Sequence, residues 1–75
     1  MKEHEPVVIL ADRQEHGLQK GDIGAVVHVY GDGEAYEVEF VSGNGQTVAV
    51  LTLAAPEIRP LEKTDILHVR ELTSA

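Results

Sequence analysis

The chain has 75 residues, of which 13 are acidic and 6 are Lys or Arg, so that its formal net charge is −7. This length suits one small domain. The acidic balance argues against a protein that binds nucleic acid or an anionic membrane surface, because binding to either requires clustered basic side chains that this sequence lacks. Cysteine is absent, which excludes disulfides, cysteine zinc sites and thiol catalysis.

The first six residues are mostly charged and are not followed by the long apolar segment of a signal peptide. No run approaches the roughly 18 apolar residues of a membrane-spanning helix. We therefore expect a cytoplasmic location, with which the absence of cysteine is consistent.

The first strand is predicted at residues 7–10, a short β-branched run just after Pro6. Residues 11–22 form a polar loop whose one large apolar side chain, Leu18, is expected to fold back onto the core. Arg13 in this loop is predicted to form local ion pairs with its acidic neighbours.

The strongest strand signal covers residues 24–30, which are rich in β-branched side chains. Residues 31–33, Gly-Asp-Gly, predict a tight hairpin turn. The next strand, residues 35–41, alternates with a period of two, and this pattern predicts one buried and one solvated face. Its buried side chains are Tyr36, Val38 and Phe40, and its solvated side chains are Glu37 and Glu39.

A second hairpin is predicted around the Asn-Gly pair within residues 42–45. The following β-branched run, residues 46–53, predicts a fourth strand. Residues 57–60 have room for a single turn and a short edge strand, a position that suits Pro60 because proline cannot donate to a strand ladder.

The last segment, residues 61–75, fits two predictions about equally. Thr64 would cap a short helix that begins at Asp65. Alternatively, residues 66–69 would form a further strand, and the β-branched residues there favour this second prediction.

These elements predict an all-β fold, because consecutive antiparallel strands with short turns favour a meander that curls around one inner face. The expected architecture is a small SH3-like barrel of five strands, or six if residues 66–69 add one. The barrel occupies residues 1–60 and a C-terminal extension occupies residues 61–75. The expected inner face consists of Ile9, Leu18, Val27, Val29, Val38, Phe40, Val50 and Leu53, although either parity suits the fully apolar strands.

Three stretches carry a resemblance to a known family: residues 15–30, with Gly-Leu-x-x-Gly-Asp-x-Gly-x-Val-Val, then residues 35–40 and residues 57–60. Together they resemble a family of small bacterial proteins catalogued as domain-of-unknown-function family 4926, over about residues 6–60. The resemblance implies an SH3-like barrel of unassigned function and carries over no catalytic residue. Residues 61–75 extend beyond the usual end of that family.

The sequence contains no catalytic or metal-binding motif. Its four histidines, at positions 4, 16, 28 and 68, include no pair with metal-ligand spacing. The paired carboxylates of Glu37 and Glu39 have no nucleophile or oxyanion stabiliser nearby. We therefore predict no catalytic residue, no metal site and no cofactor, and we expect that the chain is not an enzyme.

The negative charge is unevenly distributed, since six acids and no Lys or Arg lie between Lys20 and Arg59. Such a one-signed surface either attracts a basic partner or serves solubility alone. The candidate partner-binding residues on the predicted hairpin are Asp32, Glu34, Glu37 and Glu39.

The sequence favours a non-enzymatic protein-interaction module that self-associates or binds a basic protein. The apolar side chains of the extension are the candidate self-association residues and predict a possible homo-oligomer. They are Ile66, Leu67, Val69 and Leu72. The alternatives are an antitoxin-like or immunity-like neutraliser of a neighbouring protein, and an accessory subunit of a larger enzyme.

Overall fold

The computed structural model describes residues 1–72. In this part of the chain five antiparallel strands form one sheet, which confirms the predicted all-β fold and five strands. No helix here is long and apolar enough to cross a membrane. The strands are β1 (Pro6–Ile9), β2 (Ile23–Tyr30), β3 (Ala35–Val41), β4 (Thr47–Ala54) and β5 (Ile58–Pro60), and short 3₁₀ turns lie at Gln14–His16 and Ala55–Glu57.

The sheet must curl because its two edge strands are joined by a very short connection. The strand order is β4-β3-β2-β1-β5, so a flat sheet would separate β4 from β5 by four strand spacings, about 19 Å. The 3₁₀ turn Ala55–Glu57 joins them, and at a rise of about 2 Å per residue it spans far less. Accordingly, Leu53 of β4 and Ile58 of β5 lie in the same hydrophobic cluster.

The core lies inside this curl and draws one or more side chains from every strand. Leu18 is buried in it, as expected for the anchor of the long β1–β2 loop. The predicted alternation of β3 is also confirmed. The cluster consists of Val7, Ile9, Leu18, Val26, Tyr36, Val38, Phe40, Leu53 and Ile58.

A β-bulge in β2 changes which of its side chains face the core. Val26 pairs with Val38 and His28 pairs with Glu37, so that Val27 has no partner in the ladder. The placement of Val27 in the core was therefore wrong, and Val26 is fully buried instead. The extra residue shifts the alternation of inward and outward side chains by one position. After the bulge Val29 therefore packs against the core, as predicted.

The placement of Val50 in the core was also wrong. Val50 is 48% exposed because it pairs with Glu39 on the outer face of β3, whereas Leu51 pairs with the buried Val38. Leu53 is buried as predicted. The sequence of a fully apolar strand does not show which of its alternate side chains face the core. Here the register with β3 decides this.

Residues 61–72 form neither the predicted strand nor the alternative helix. The Asp65 carboxylate accepts a hydrogen bond from the Glu62 N–H at 2.7 Å and closes a turn, instead of starting a helix. After this turn the segment follows the β1–β2 loop, to which Arg70 binds. In the described chain, no backbone N–H of residues 66–72 donates to another backbone group.

Gly24 allows β2 and β3 to approach closely. An added Cβ would lie 2.6 Å from the Val38 side chain and 2.9 Å from the Glu39 carbonyl oxygen. We expect Gly24→Ala to lower the free energy of unfolding by about 1–3 kcal/mol, the usual cost of overpacking, as measured by chemical denaturation. Gly43→Ala is the matched control, because nothing lies near its added Cβ, and equal losses in the two variants would contradict this account.

Candidate interaction surfaces

Four carboxylates of the β2–β3 hairpin form a surface that we call the acidic face: Asp32, Glu34, Glu37 and Glu39. Asp32 and Glu34 lie exposed in the turn. Glu37 and Glu39 lie half-buried on the outer side of β3, because the alternate residues of that strand fill the core. The structure therefore brings all four predicted partner-binding residues to one hairpin.

Neutral side chains hold the two strand carboxylates of the acidic face. The Thr47 hydroxyl donates to Glu39 Oε2 at 2.6 Å. The Tyr30 hydroxyl lies 3.5 Å from Glu37 Oε1, at the limit of a hydrogen bond, and its ring meets His28 edge-on with centroids 4.5 Å apart. These contacts orient the carboxylates and leave their charge in place.

The six acids between Lys20 and Arg59 divide into two groups. Asp22 pairs with Arg70 and Glu57 pairs with Arg13. Within residues 1–72 the four carboxylates of the acidic face make no ion pair. The uncompensated negative charge of this region is thus confined to the hairpin.

The C-terminal extension is fixed at its beginning by Arg59 and Asp65. Their side chains form a two-pronged contact, with N–O distances of 2.8 and 3.0 Å. Together, the hydrogen bonds from Arg59 and from the Glu62 N–H lower the pKa of Asp65 to about 2. Asp65 is therefore ionised at neutral pH.

A second pair fixes Arg70 of the extension against the β1–β2 loop. Arg70 donates to both carboxylate oxygens of Asp22, at 2.9 and 2.5 Å, and to the Gly17 carbonyl oxygen at 2.9 Å. Burial opposes ionisation of Asp22, but the hydrogen bonds from Arg70 and from the Gln19 N–H outweigh it and lower its pKa. One guanidinium group thus ties the extension to two points of the loop.

Three exposed apolar side chains lie between Asp65 and Arg70, and a fourth lies just after Arg70. We call Ile66, Leu67, Val69 and Leu72 the apolar strip. Ile66 and Val69 are each 91% exposed, and the other two are more than half exposed. Val69 and Leu72 also line an open cleft of about 390 Å³ with Val41. The predicted self-association residues therefore lie on one anchored segment.

Two of the ion pairs join residues that are far apart in the sequence, and neither pair was predicted. Arg13 pairs with Glu57, 44 positions away, and not with its neighbours in the loop as predicted. Arg70 and Asp22 are 48 positions apart. Only the three-dimensional fold shows these pairings.

Among residues 1–72, no three His, Asp or Glu side chains lie closely enough together to hold a metal ion.

We expect Arg70→Gln to release the apolar strip, because it removes the charge that holds residues 66–72 to Asp22 and Gly17. Backbone order parameters of this segment measured by NMR should fall from rigid values of about 0.85 to below about 0.6. Lys63→Gln is the control for loss of one positive charge, since Lys63 is exposed and makes no ion pair within residues 1–72. Unchanged order in Arg70→Gln would show that the ion pair does not hold the strip.

Comparison with known proteins gives a family match that covers most of the chain. No curated protein and no solved structure matches it. One family model, described as a domain of unknown function (DUF4926), matches residues 3–60. The match includes the whole sheet and the acidic face, and it ends before the apolar strip. The chain therefore belongs to the DUF4926 family.

Proposed function

We propose that this chain is a non-enzymatic protein-interaction module that binds a protein surface through the apolar strip. The observation that supports this proposal is that Ile66 and Val69 are almost fully exposed although their segment is anchored by Arg59–Asp65 and Arg70–Asp22. Several large apolar side chains that remain exposed on one short, anchored segment favour an interaction site.

The two anchors favour binding because they order the strip before any partner arrives. Fixing the backbone of a residue costs roughly 1–2 kcal/mol, and a segment that is already ordered does not lose this again on association. Fully burying a Val, Leu or Ile side chain contributes roughly 1.5–3 kcal/mol. The strip offers four such side chains, which is enough gross energy for a specific contact.

The acidic face supports a second candidate function, the binding of a basic protein. Its four carboxylates lack a basic partner in the described part of the chain, and a one-signed surface raises the association rate of an oppositely charged protein. An antitoxin-like or immunity-like neutraliser would use this face against a basic target. An accessory subunit of an enzyme would dock through the apolar strip.

The strip is tested by the double variant Ile66→Glu/Val69→Glu. Both side chains are solvent-exposed, so we expect unchanged thermal unfolding and a loss of at least about tenfold in the proteins captured from lysate by the immobilised chain, as quantified by mass spectrometry. Thr64→Glu/His68→Glu is the control, because it adds the same charge to the same exposed segment and keeps the strip intact. Equal capture by the two variants, or no protein enriched by the native chain, would refute this function.

The acidic face is tested by Glu37→Gln/Glu39→Gln in the same capture assay. If a basic protein binds there, its capture should fall and should depend less steeply on ionic strength, since exposed charges are screened beyond about 10 Å at 0.1 M salt. Glu3→Gln/Glu15→Gln changes the net charge equally at exposed positions outside the hairpin. The same loss in both variants would indicate a general charge effect and would contradict a role for this face.

A further inference from the structure

The two edges of the sheet are protected very differently. At one edge β5 has three residues, includes Arg59 and ends at Pro60, and short length, charge and proline all hinder the addition of another strand. At the other edge β4 has eight residues and pairs with β3 alone among the described strands. Its second row of backbone N–H and C=O groups is therefore open to another strand.

β4 has a bulge at Val48, near its start, but residues 49–54 pair regularly with β3 and have no other protection. No charged residue and no histidine lies between Glu39 and Glu57, although a quarter of the whole chain is charged. β4 itself reads Thr-Val-Ala-Val-Leu-Thr-Leu-Ala and lacks proline. Natural edge strands that stay unpaired are blunted by lysine, proline or a bulge in their exposed part. An edge of this length and composition is typical of a strand that pairs with another chain.

The core side chains of β4 are also incompletely covered. Ala49 and Leu51 face inward and pack against the core, but both remain half-buried. Val50 faces outward and is 48% exposed. A strand added at this edge would cover apolar surface on both faces of the sheet.

We propose that β4 pairs with β4 of a second copy of this chain, antiparallel and around a two-fold axis, so that the two five-stranded sheets become one. A two-fold axis perpendicular to the sheet brings identical edges together with opposite directions, and such self-complementary interfaces are the commonest in oligomers. A copy of the same chain offers a matching open edge of equal length. This interface adjoins the apolar strip where Leu72 lines a cleft with Thr47 and Val48, but it uses the backbone edge of β4 and goes beyond the function proposed above.

The charge distribution favours a second copy at this edge. Two chains of net charge −7 repel each other, and this repulsion is weakest where the surfaces that meet are neutral. β4 is neutral throughout. The Glu57 carboxylate at its end is paired with Arg13, and the unpaired Glu37 and Glu39 lie one strand away on β3. In the paired sheet they are three strand spacings from their counterparts, about 14 Å. This distance exceeds the screening length of about 8 Å at physiological salt.

Val50→Lys tests the interface by sedimentation velocity over a concentration series. We expect the native chain to form dimers and the variant to dissociate at least about tenfold more readily. Val50 lies near the middle of β4, so that the two introduced charges would meet close to the two-fold axis. The variant should fold, because the outward ammonium group would lie opposite Glu39 of its own chain. Val41→Lys is the control, since Val41 is similarly exposed, at 53%, and lies on β3.

Several results would overturn the proposal. One is a native chain that remains monomeric at every concentration. Another is a dimer that dissociates in Ile66→Glu/Val69→Glu and persists in Val50→Lys, which would assign self-association to the apolar strip. Equal effects of Val50→Lys and Val41→Lys would also contradict it.

Hydrogen exchange of the native chain gives a second test that needs no variant. The amides of β4 that do not donate to β3 should become protected as the concentration rises and the dimer forms. Protection that does not change with concentration would refute the pairing.

Discussion

The structure depends on the short connection between its two edge strands. Because only Ala55–Glu57 separates β4 from β5, the sheet cannot lie flat, and its curl encloses the one core that a chain of this size can build. Glu57 reinforces the connection, since its carboxylate accepts the Ala54 N–H at 2.8 Å and pairs with Arg13 of the β1–β2 loop. The loop, the connection and both edge strands are thereby linked.

The curl also determines which parts of the chain remain free for contact. It leaves β4 and β5 as the outer strands, of which only β4 is long and uncharged. It directs the outer side of β3 toward solvent, with two carboxylates of the acidic face upon it. The extension after β5 then runs past the β1–β2 loop, where Asp22 and the Gly17 carbonyl oxygen hold Arg70. The open edge adjoins both of the other surfaces, since Thr47 of β4 binds Glu39 of the acidic face and lines a cleft with Leu72 of the apolar strip.

Arginine has a uniform role in this acidic chain. Each of Arg13, Arg59 and Arg70 pairs with a carboxylate, and each pair fixes a segment that lies outside the regular strands. In Arg59 and Arg70 the planar guanidinium group contacts both oxygens of one carboxylate in a fixed geometry. The acids of the β2–β3 hairpin have no such partner within residues 1–72, which is why the negative charge is concentrated there.

By itself the sequence determined the all-β class, the two hairpins, the alternation of β3 and the anchoring role of Leu18, because period-two patterns and turn residues act locally. It also identified the family and the residues of the acidic face and the apolar strip. Tertiary structure decided the parity of the apolar strands, through the bulge at Val27 and the pairing of Val50 with Glu39. It likewise decided that residues 66–72 form neither strand nor helix, because Arg70 is held by the Asp22 carboxylate, which is 48 positions away and which only the fold brings within reach.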